Sequence, residues 1–310
     1  MKLHLLSATA ALSLGLWSLA GNFNASAQQS DDSWMSRFAA DFSAGYDNWQ
    51  GFPDGNYPDN SGVHGGLNLG FLVLPDSGIG VQAGATYGVY DFNGRESMPI
   101  RPLRQEQTFF TGGFFYRGAE DSLFSAGAVY DLMINHNFSV YAVDATLQQL
   151  RGQVAFRPLG QHQIGLWGAM ELNRATAQPA NVGAGSFRGI DQASVFYEYT
   201  FEKGADVRLW AGLPFSKALA NPHNEIGTFI LGARASVPLT DRLSLFASGA
   251  YLSPHSSPGL GFPRKMNSVN AVTIGLSFCF GEGKTPSRAA PYLPVADNTT
   301  FFVDGSNSFP

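Results

Sequence analysis

The residues of this sequence best suited to chemistry are charged side chains at polar positions of segments in which apolar and polar residues alternate. They are Asp131, Arg151, Glu171, Glu198, Arg208 and Arg234. Acids and arginines on one face either pair as a static network or form a charged ring that selects ions. Glu198, Arg208 and Arg234 stand at similar distances from the turns of their segments, which predicts one acid beside two arginines. Because two of these segments are direct neighbours, static pairing is favoured.

Two other sets of residues have the side-chain types that hydrolysis needs, but the sequence does not place them as a catalytic site requires. His255 and Ser257 form a His-x-Ser pair in a Pro- and Gly-rich loop, where no acid or amide is placed to orient the imidazole. Asp131, His136 and Glu171 match an acid–histidine site in composition alone. The sequence therefore predicts no catalytic residues.

Metal and cofactor sites are not indicated either. Cys279 is the only cysteine, which excludes an internal disulfide and a zinc site built on paired cysteines. Asp54 and Asp59 could bind calcium from a loop, but their spacing fits no EF-hand. No glycine-rich phosphate loop is present. No metal and no cofactor are expected, and Cys279 is interpreted as a small filler on the polar face of its strand.

The N-terminus has the features of an export signal. Lys2 precedes an apolar stretch, and Ala25-Ser26-Ala27 gives a cleavage site after Ala27. A membrane anchor is the alternative, against which the cleavage site argues. The net charge of −5 gives no reason to expect a nucleic-acid partner. Charged residues are 14%, against roughly 25% in an average soluble domain, and aromatics are 13%. This composition fits a surface that meets something other than water.

Alternation of apolar and polar residues with a period of two recurs along the chain and predicts strands. The last strand is the clearest case, with Val272, Ile274, Leu276, Phe278 and Phe280 on one side and Thr273, Gly275 and Ser277 on the other. The predicted strands are 37–46, 63–73, 79–90, 107–117, 124–133, 144–157, 163–174, 191–201, 206–215, 227–237, 243–252 and 270–280. No segment after the export signal has 18 consecutive apolar residues, so no transmembrane helix is expected.

The gaps between these strands alternate between short and long. Short gaps rich in turn residues are 75–78, 118–122, 158–161, 202–205 and 238–241, and long gaps include 47–62, 91–106, 175–190 and 253–268. This pattern is typical of an all-β fold, a transmembrane up-and-down antiparallel β-barrel with short periplasmic turns and long extracellular loops. Closure leaves no unpaired edges in a bilayer. A soluble β-sandwich is the alternative. Aromatics near strand ends, Tyr46 and Trp49 among them, fit interfacial girdles.

The last strand also carries a resemblance. Thr273, Gly275, Phe278 and Phe280 form a pattern similar to the assembly signal of bacterial outer-membrane β-barrel proteins. It departs from the usual pattern because 30 residues follow Phe280. The chain up to Phe280 resembles a porin-like barrel of about 12 strands. The resemblance implies the outer membrane of a Gram-negative-type bacterium, with outer-membrane lipid and the barrel-assembly machinery as partners.

These features together predict an order along the chain and a function. We expect a signal peptide at 1–27, an N-terminal periplasmic segment at 28–36, the barrel at 37–280 and a periplasmic tail at 281–310. The alternative for the tail is that Thr299–Val303 folds back as a lumen plug or docks a partner by strand addition. The expected function is a narrow channel for small polar solutes. The alternatives are a non-conducting barrel acting through its outer loops and a barrel hydrolase.

Overall fold

The computed structural model describes residues 34–50, 60–90, 104–118, 122–138, 142–177, 185–219, 221–254, 268–280 and 289–305. The predicted signal peptide, Asp54, Asp59, His255 and Ser257 lie outside the described residues. No helix in the described part of the chain is long and apolar enough to cross a membrane.

One turn of 3-10 helix, Trp34–Arg37, precedes the strands of the described chain. The strands are β1 (Phe38–Gln50), β2 (Ser61–Leu74), β3 (Ile79–Tyr90), β4 (Gln105–Tyr116), β5 (Phe124–Phe138), β6 (Val143–Leu159), β7 (His162–Glu171), β8 (Arg174–Ala177), β9 (Gly185–Gly189), β10 (Gln192–Thr200), β11 (Asp206–Pro214), β12 (Lys217–Ala218), β13 (Asn221–Glu225), β14 (Gly227–Pro238), β15 (Leu243–Pro254), β16 (Val269–Phe280) and β17 (Val303–Asp304).

Twelve of these strands form a closed antiparallel barrel in the order β1-β2-β3-β4-β5-β6-β7-β10-β11-β14-β15-β16. The first and last strands close it, with Gly45 opposite Gly275. Closure leaves no barrel edge with unpaired backbone groups. The predicted 12-stranded barrel is therefore confirmed. The remaining strands form a three-stranded sheet, β17-β9-β8, and a hairpin, β12-β13.

The outer surface of the barrel is an apolar band. On β16, Val272, Ile274 and Leu276 are exposed, whereas the alternate residues Ala271 and Thr273 are buried. The other barrel strands repeat this alternation, since the pleat sends neighbouring side chains to opposite faces. A surface that exposes this many large apolar side chains suits lipid and not water.

One aromatic prediction is wrong. Tyr46 faces outward and is exposed, as expected for a girdle residue. Trp49 instead faces inward, is 5% exposed and packs on Tyr90 with ring centroids 4.5 Å apart. Trp49 lies an odd number of residues from Tyr46 on the same strand, so the two side chains must leave opposite faces.

Tight turns gather at one end of the barrel, here called the short-turn end, and the opposite end is called the long-loop end. Gly78 and Gly204 have positive φ angles of 70° and 83°, which glycine adopts without steric cost. Strand β5 runs to Phe138, beyond the predicted end at Met133, because the alternation of inward and outward side chains continues. The predicted strand 163–174 divides into β7 in the barrel and β8 in the small sheet.

Candidate functional site: a lumen shared by the C-terminal segment and a cavity

The tail segment, residues 289–305, lies inside the barrel. Near the short-turn end Gln82 binds the backbone of Tyr292 and Leu293. At the long-loop end Val303 and Asp304 pair with β9. The tail segment therefore runs along the lumen from one end of the barrel to the other. The sequence predicts a periplasmic tail here, with a lumen plug as the alternative.

The backbone of the tail segment is bound by inward side chains of β2, β3, β4 and β6 and by Arg117 in the turn after β4. We call Asn68, Gln82, Thr111, Arg117 and Arg151 the tail wall. Every residue from Ala290 to Ala296 presents at least one backbone group to this wall. Asn68 Oδ1 accepts from the Val295 amide at 2.7 Å, and Thr111 Oγ1 accepts from the Ala296 amide at 3.0 Å.

The two prolines of the tail segment are matched to arginines. Proline has no backbone N–H, so Pro291 and Pro294 offer only a carbonyl oxygen. Arg117 donates to the Pro291 carbonyl at 3.2 Å, and Arg151 donates to the Pro294 carbonyl at 2.6 Å. Burial lowers the pKa of Arg117 to about 10, so its guanidinium stays charged at neutral pH. Between the prolines, Gln82 accepts from two consecutive amides and donates to the Leu293 carbonyl.

Arg151 itself is anchored by Asp131. The two side chains are 4% and 0% exposed, and Arg151 donates to both carboxylate oxygens at 3.0 and 3.1 Å. Gln149 and Thr111 donate to the same carboxylate at 2.9 and 2.6 Å. A buried carboxylate is tolerated only when paired and hydrogen-bonded in this way. The pair therefore fixes the guanidinium that holds Pro294.

A second ionic group holds the end of the tail segment. Asp304 is 0% exposed, and its carboxylate lies 3.5 Å from Nε of Arg188 and accepts from the Leu219 amide at 2.9 Å. Arg188 also contacts Glu171 at 3.3 Å, and Glu171 contacts Arg174 at 3.4 Å. Glu171 is thus placed beside the tail segment, where sequence reasoning gave it no partner.

Apolar side chains of the tail segment fill the lumen at the long-loop end. Phe302 belongs to a buried cluster that includes Ile230 and Leu252 of β14 and β15. Phe301 and Val303 belong to another cluster, which includes Phe109 of β4. The burial of three consecutive apolar residues removes a surface that would be costly to leave in water.

Beside the tail segment the lumen contains a cavity of about 370 Å³, here called the open cavity, whose lining also includes Asn68 and Arg151 of the tail wall. Arg208 donates to Glu198 at 2.6 Å and to Gln153 at 2.8 Å, and its guanidinium lies 4.3 Å from the centroid of the Phe196 ring. Arg234 stands directly beside Arg208 in the strand register, and its side chain is exposed within the lining of the cavity. The structure therefore brings Glu198, Arg208 and Arg234 together, as a neutralised pair next to an arginine that faces solvent.

A partly buried histidine, His64, borders the open cavity. His64 Nδ1 lies 2.8 Å from Asp47 Oδ2, and the Tyr90 hydroxyl donates to the same oxygen at 2.8 Å. All three side chains line the open cavity. Neither the histidine nor its two partners was among the sequence-predicted site residues, although the alternation of β2 places His64 on the lumen face.

The residues considered for hydrolysis do not converge. His136 faces outward, is 59% exposed and pairs with Asp144 at 2.7 Å. Asp131 faces inward on the same strand and forms an ion pair with Arg151. The barrel wall therefore separates them. Among the described residues no group of three His, Cys, Asp or Glu side chains could hold a metal.

The residues of the assembly-signal pattern lie on both faces of β16. Phe278 and Phe280 face outward and stack edge to face with centroids 4.8 Å apart. Thr273 is buried on the inner side, and Gly275 lies opposite Gly45 of β1. Cys279 faces the open cavity, where its thiol lies 3.5 Å from Asp41 Oδ2.

A sequence profile of a family of unknown function, DUF6666, matches residues 39–303. The chain belongs to this family. The match to DUF6666 begins in β1 and ends at Val303, so it takes in the barrel together with nearly all of the tail segment. A comparison with curated proteins gives no match.

Solved structures that resemble this DUF6666 chain are outer-membrane β-barrels, as the sequence resemblance predicted. The KdgM porin is 8% identical with a TM-score of 0.42, covering 78% of this chain and 99% of that one. A deltaS2S3 mutant of the TodX monoaromatic hydrocarbon channel is 9% identical with a TM-score of 0.45, covering 79% and 90%. The Salmonella typhi outer membrane phospholipase is 12% identical with a TM-score of 0.42, covering 77% and 90%. At these values the likeness says nothing about function.

Proposed function

We propose that this protein is an outer-membrane channel for small polar solutes, closed in the described state by its own tail segment. The observation that carries the proposal is the open cavity, a space inside a closed barrel that the tail segment leaves unfilled and whose lining includes the charged side chains of Arg208 and Arg234. Arg234 is exposed there, and an arginine inside a barrel needs water or a polar solute beside it. Twelve strands lie between the filled interior of eight-stranded barrels and the aqueous channel of porins with 16–18 strands.

The proposed location in a membrane follows from the apolar side chains on the outer surface of the barrel. The exposed apolar band would be costly in water, and a closed barrel satisfies every backbone group of the wall inside a bilayer. We place the barrel in the outer membrane of a Gram-negative-type bacterium, with the short-turn end in the periplasm. The barrel-assembly machinery is the partner that we propose for its insertion, acting on Thr273, Gly275, Phe278 and Phe280.

The test is single-channel conductance in a planar bilayer. The chain after the signal peptide is compared with the same chain lacking residues 281–310, and a heat-shift gel on each sample reports folding. We expect rare openings from the longer chain and frequent stepwise openings from the shorter one, because the tail segment no longer occupies the lumen. A folded shorter chain that conducts nothing would refute the channel.

Cys279 supplies a second readout, because it lines the open cavity near the short-turn end. A bulky charged thiol reagent added on that side should lower the current by narrowing the lumen. The Cys279→Ser variant should be insensitive to the reagent. Equal inhibition of both chains would place the effect of the reagent elsewhere.

A second candidate, a closed barrel that acts through its outer loops, is favoured by the apolar clusters around Phe301 and Phe302. These clusters occupy part of the lumen at the long-loop end with apolar side chains. A folded chain lacking residues 281–310 that stays silent would favour this candidate. We propose no catalytic function, since Asp131 and His136 face opposite sides of the wall.

A further inference from the structure

We propose that the tail wall is a peptide-binding site that recognises a proline-containing segment through its backbone and accepts such a segment from a separate chain. The tail segment is its resident ligand. The inference rests on the proposed function in one respect, since it names short peptides as the class of polar solute that the lumen takes. The binding site itself requires only the contacts of the tail wall.

The tail wall recognises backbone groups and makes few polar contacts with side chains. From Ala290 to Ala296 each residue gives a backbone amide or carbonyl to Asn68, Gln82, Thr111, Arg117 or Arg151. Over the same stretch the one polar side-chain contact among the described residues is between the hydroxyl groups of Tyr292 and Ser125, at 2.9 Å. Backbone groups are common to all peptides, so a site of this kind tolerates changes of side chain.

The positions of the prolines add selectivity. At Pro291 and Pro294 the wall presents arginine donors, and no acceptor there is needed for an N–H. Replacement of either proline by alanine would add an amide N–H at a half-buried position where the wall presents a donor, and a donor that loses water without gaining an acceptor is costly. The replacement would also make the free peptide more flexible, so that more conformational entropy is lost on binding. The wall therefore favours carbonyl-only residues at these two places.

Two residues of the wall, Thr111 and Arg151, are anchored by another side chain of the barrel, Asp131. Arg151 is held by Asp131, which Gln149 and Thr111 also bind. Three neighbouring strands of the closed barrel, β4, β5 and β6, carry these side chains, so their positions are fixed by the sheet register. A preformed array of this kind can bind a second peptide once its resident ligand is cut from the barrel. While the two remain joined, the tail segment has an effective concentration in the millimolar range and excludes a peptide in solution.

The experiment therefore uses the whole chain, folded with its tail segment and then cut. A protease site is introduced between Phe280 and Ala289, and the folded protein is cleaved so that the tail segment is retained by its contacts alone. A fluorescent peptide with the sequence of residues 289–305 is added, and its anisotropy is followed. We expect saturable binding that the unlabelled peptide reverses. Absence of exchange over days in the cut protein would overturn the proposal.

Matched variants decide whether the tail wall is the site. Gln82→Leu removes the side chain that binds Tyr292 and Leu293 and should weaken peptide binding about tenfold or more, since several buried hydrogen bonds are lost together. Gln163→Leu changes another inward glutamine, which accepts a hydrogen bond from Arg157, and should leave the affinity within about twofold. Equal effects of the two changes would overturn the assignment to the tail wall.

Peptide variants test the manner of recognition. N-methylation of Val295 removes only the amide hydrogen that Asn68 accepts, and it should weaken binding about tenfold. Alanine at both Pro291 and Pro294 should also weaken it. A peptide with the Tyr292 hydroxyl removed, as phenylalanine, should bind within about threefold of the original, since one partly buried contact is lost. The opposite order of effects would show that side chains are recognised and would overturn backbone recognition. Anisotropy requires no conductance, so failure of the channel would leave these results intact.

Discussion

Charged residues on the tail wall and in the open cavity differ in how far they are exposed to solvent. On the tail wall, Arg151 and Asp131 are 4% and 0% exposed and are satisfied by each other and by the tail segment. In the open cavity, Arg208 and Glu198 are 22% and 18% exposed, and the neighbouring Arg234 is exposed. The same residue types therefore serve as a fixed scaffold on one side and as a solvated surface on the other.

Desolvation explains the difference. The free-energy cost of removing a charge from water must be offset by close partners. The loss of one partner is severe because the other charge is left buried. A charge that keeps its water loses little when its neighbour is removed, since solvent screens the interaction. A charged residue inside a barrel therefore has a structural role where the lumen beside it is filled, and it can contact solvent or a solute where the lumen is open. The following experiments test that contrast, from the largest expected effect to the smallest.

Loss of the guanidinium should be costly on the tail wall alone. Arg151→Met leaves Asp131 buried without its cation, and we expect the free energy of unfolding to fall by about 3–5 kcal/mol. Arg234→Met in the open cavity should change it by less than about 0.5 kcal/mol. Urea unfolding of the protein in lipid vesicles, followed by tryptophan fluorescence, measures both. Similar losses for the two variants would remove the distinction between the tail wall and the open cavity.

The end of the tail segment should loosen when its charge is removed. Asp304→Asn keeps the shape of the side chain but weakens its contact with Arg188, and we expect the free energy of local opening to fall by roughly 2 kcal/mol. Protease cleavage within the tail segment reports this opening. The control is Glu225→Gln, which alters an ion pair with Lys217 that is about half exposed. That control should leave the cleavage rate unchanged, and parallel acceleration would argue against a specific contact.

The fit of the tail segment against β2 should depend on Gly70. A Cβ at this position would overlap the Ala289 carbonyl, so Gly70→Ala should displace the start of the tail segment and cost about 1–3 kcal/mol. Gly112 faces outward with no atom near the position of a Cβ, and Gly112→Ala should be nearly neutral. Hydrogen exchange of the Tyr292 and Val295 amides measures the displacement. Unchanged protection in Gly70→Ala would show that the wall and tail segment adapt to each other.

The smallest effect concerns ion selectivity. Arg234→Gln removes an exposed positive charge from the open cavity, so the reversal potential in a salt gradient should shift toward cation preference. The measurement uses the chain lacking residues 281–310, with Lys203→Gln in an exposed turn as the control. A shift as large for Lys203→Gln would mean that the cavity is not the selective region. No change in either would remove Arg234 from the conduction path.

Much of the fold follows from local patterns. Alternation at β16 and at the other barrel strands predicts which side chains face lipid, because a strand sends neighbouring residues to opposite faces. Glu198, Arg208 and Arg234 could be aligned from the sequence alone, because each can be counted along its strand from a short turn at the same end of the barrel. Trp49 lies inside the barrel because its position in the alternation, and not its nearness to a strand end, decides which face it occupies.

The partners of these residues could not be found in the same way. Gln82 and Leu293 are 211 positions apart, and no periodicity connects them. The tail segment has no regular structure up to Phe302, so it carries no repeating pattern, although Pro291, Pro294 and the apolar run Phe301–Val303 were visible as features that needed an environment. Glu171 could be placed on the inner face, whereas its contact with Arg188 depends on a loop folding over the barrel.

The sequence by itself determined the barrel, its number of strands and the sides on which residues stand, because these depend on neighbours in the chain and on the pleat. Tertiary structure alone decided that the lumen is half filled by the tail segment. It also decided that Arg151 became a scaffold while Arg234 stayed in solvent. The physical reason is that burial depends on what packs against a residue after closure, and the occupant of this lumen comes from the far end of the chain.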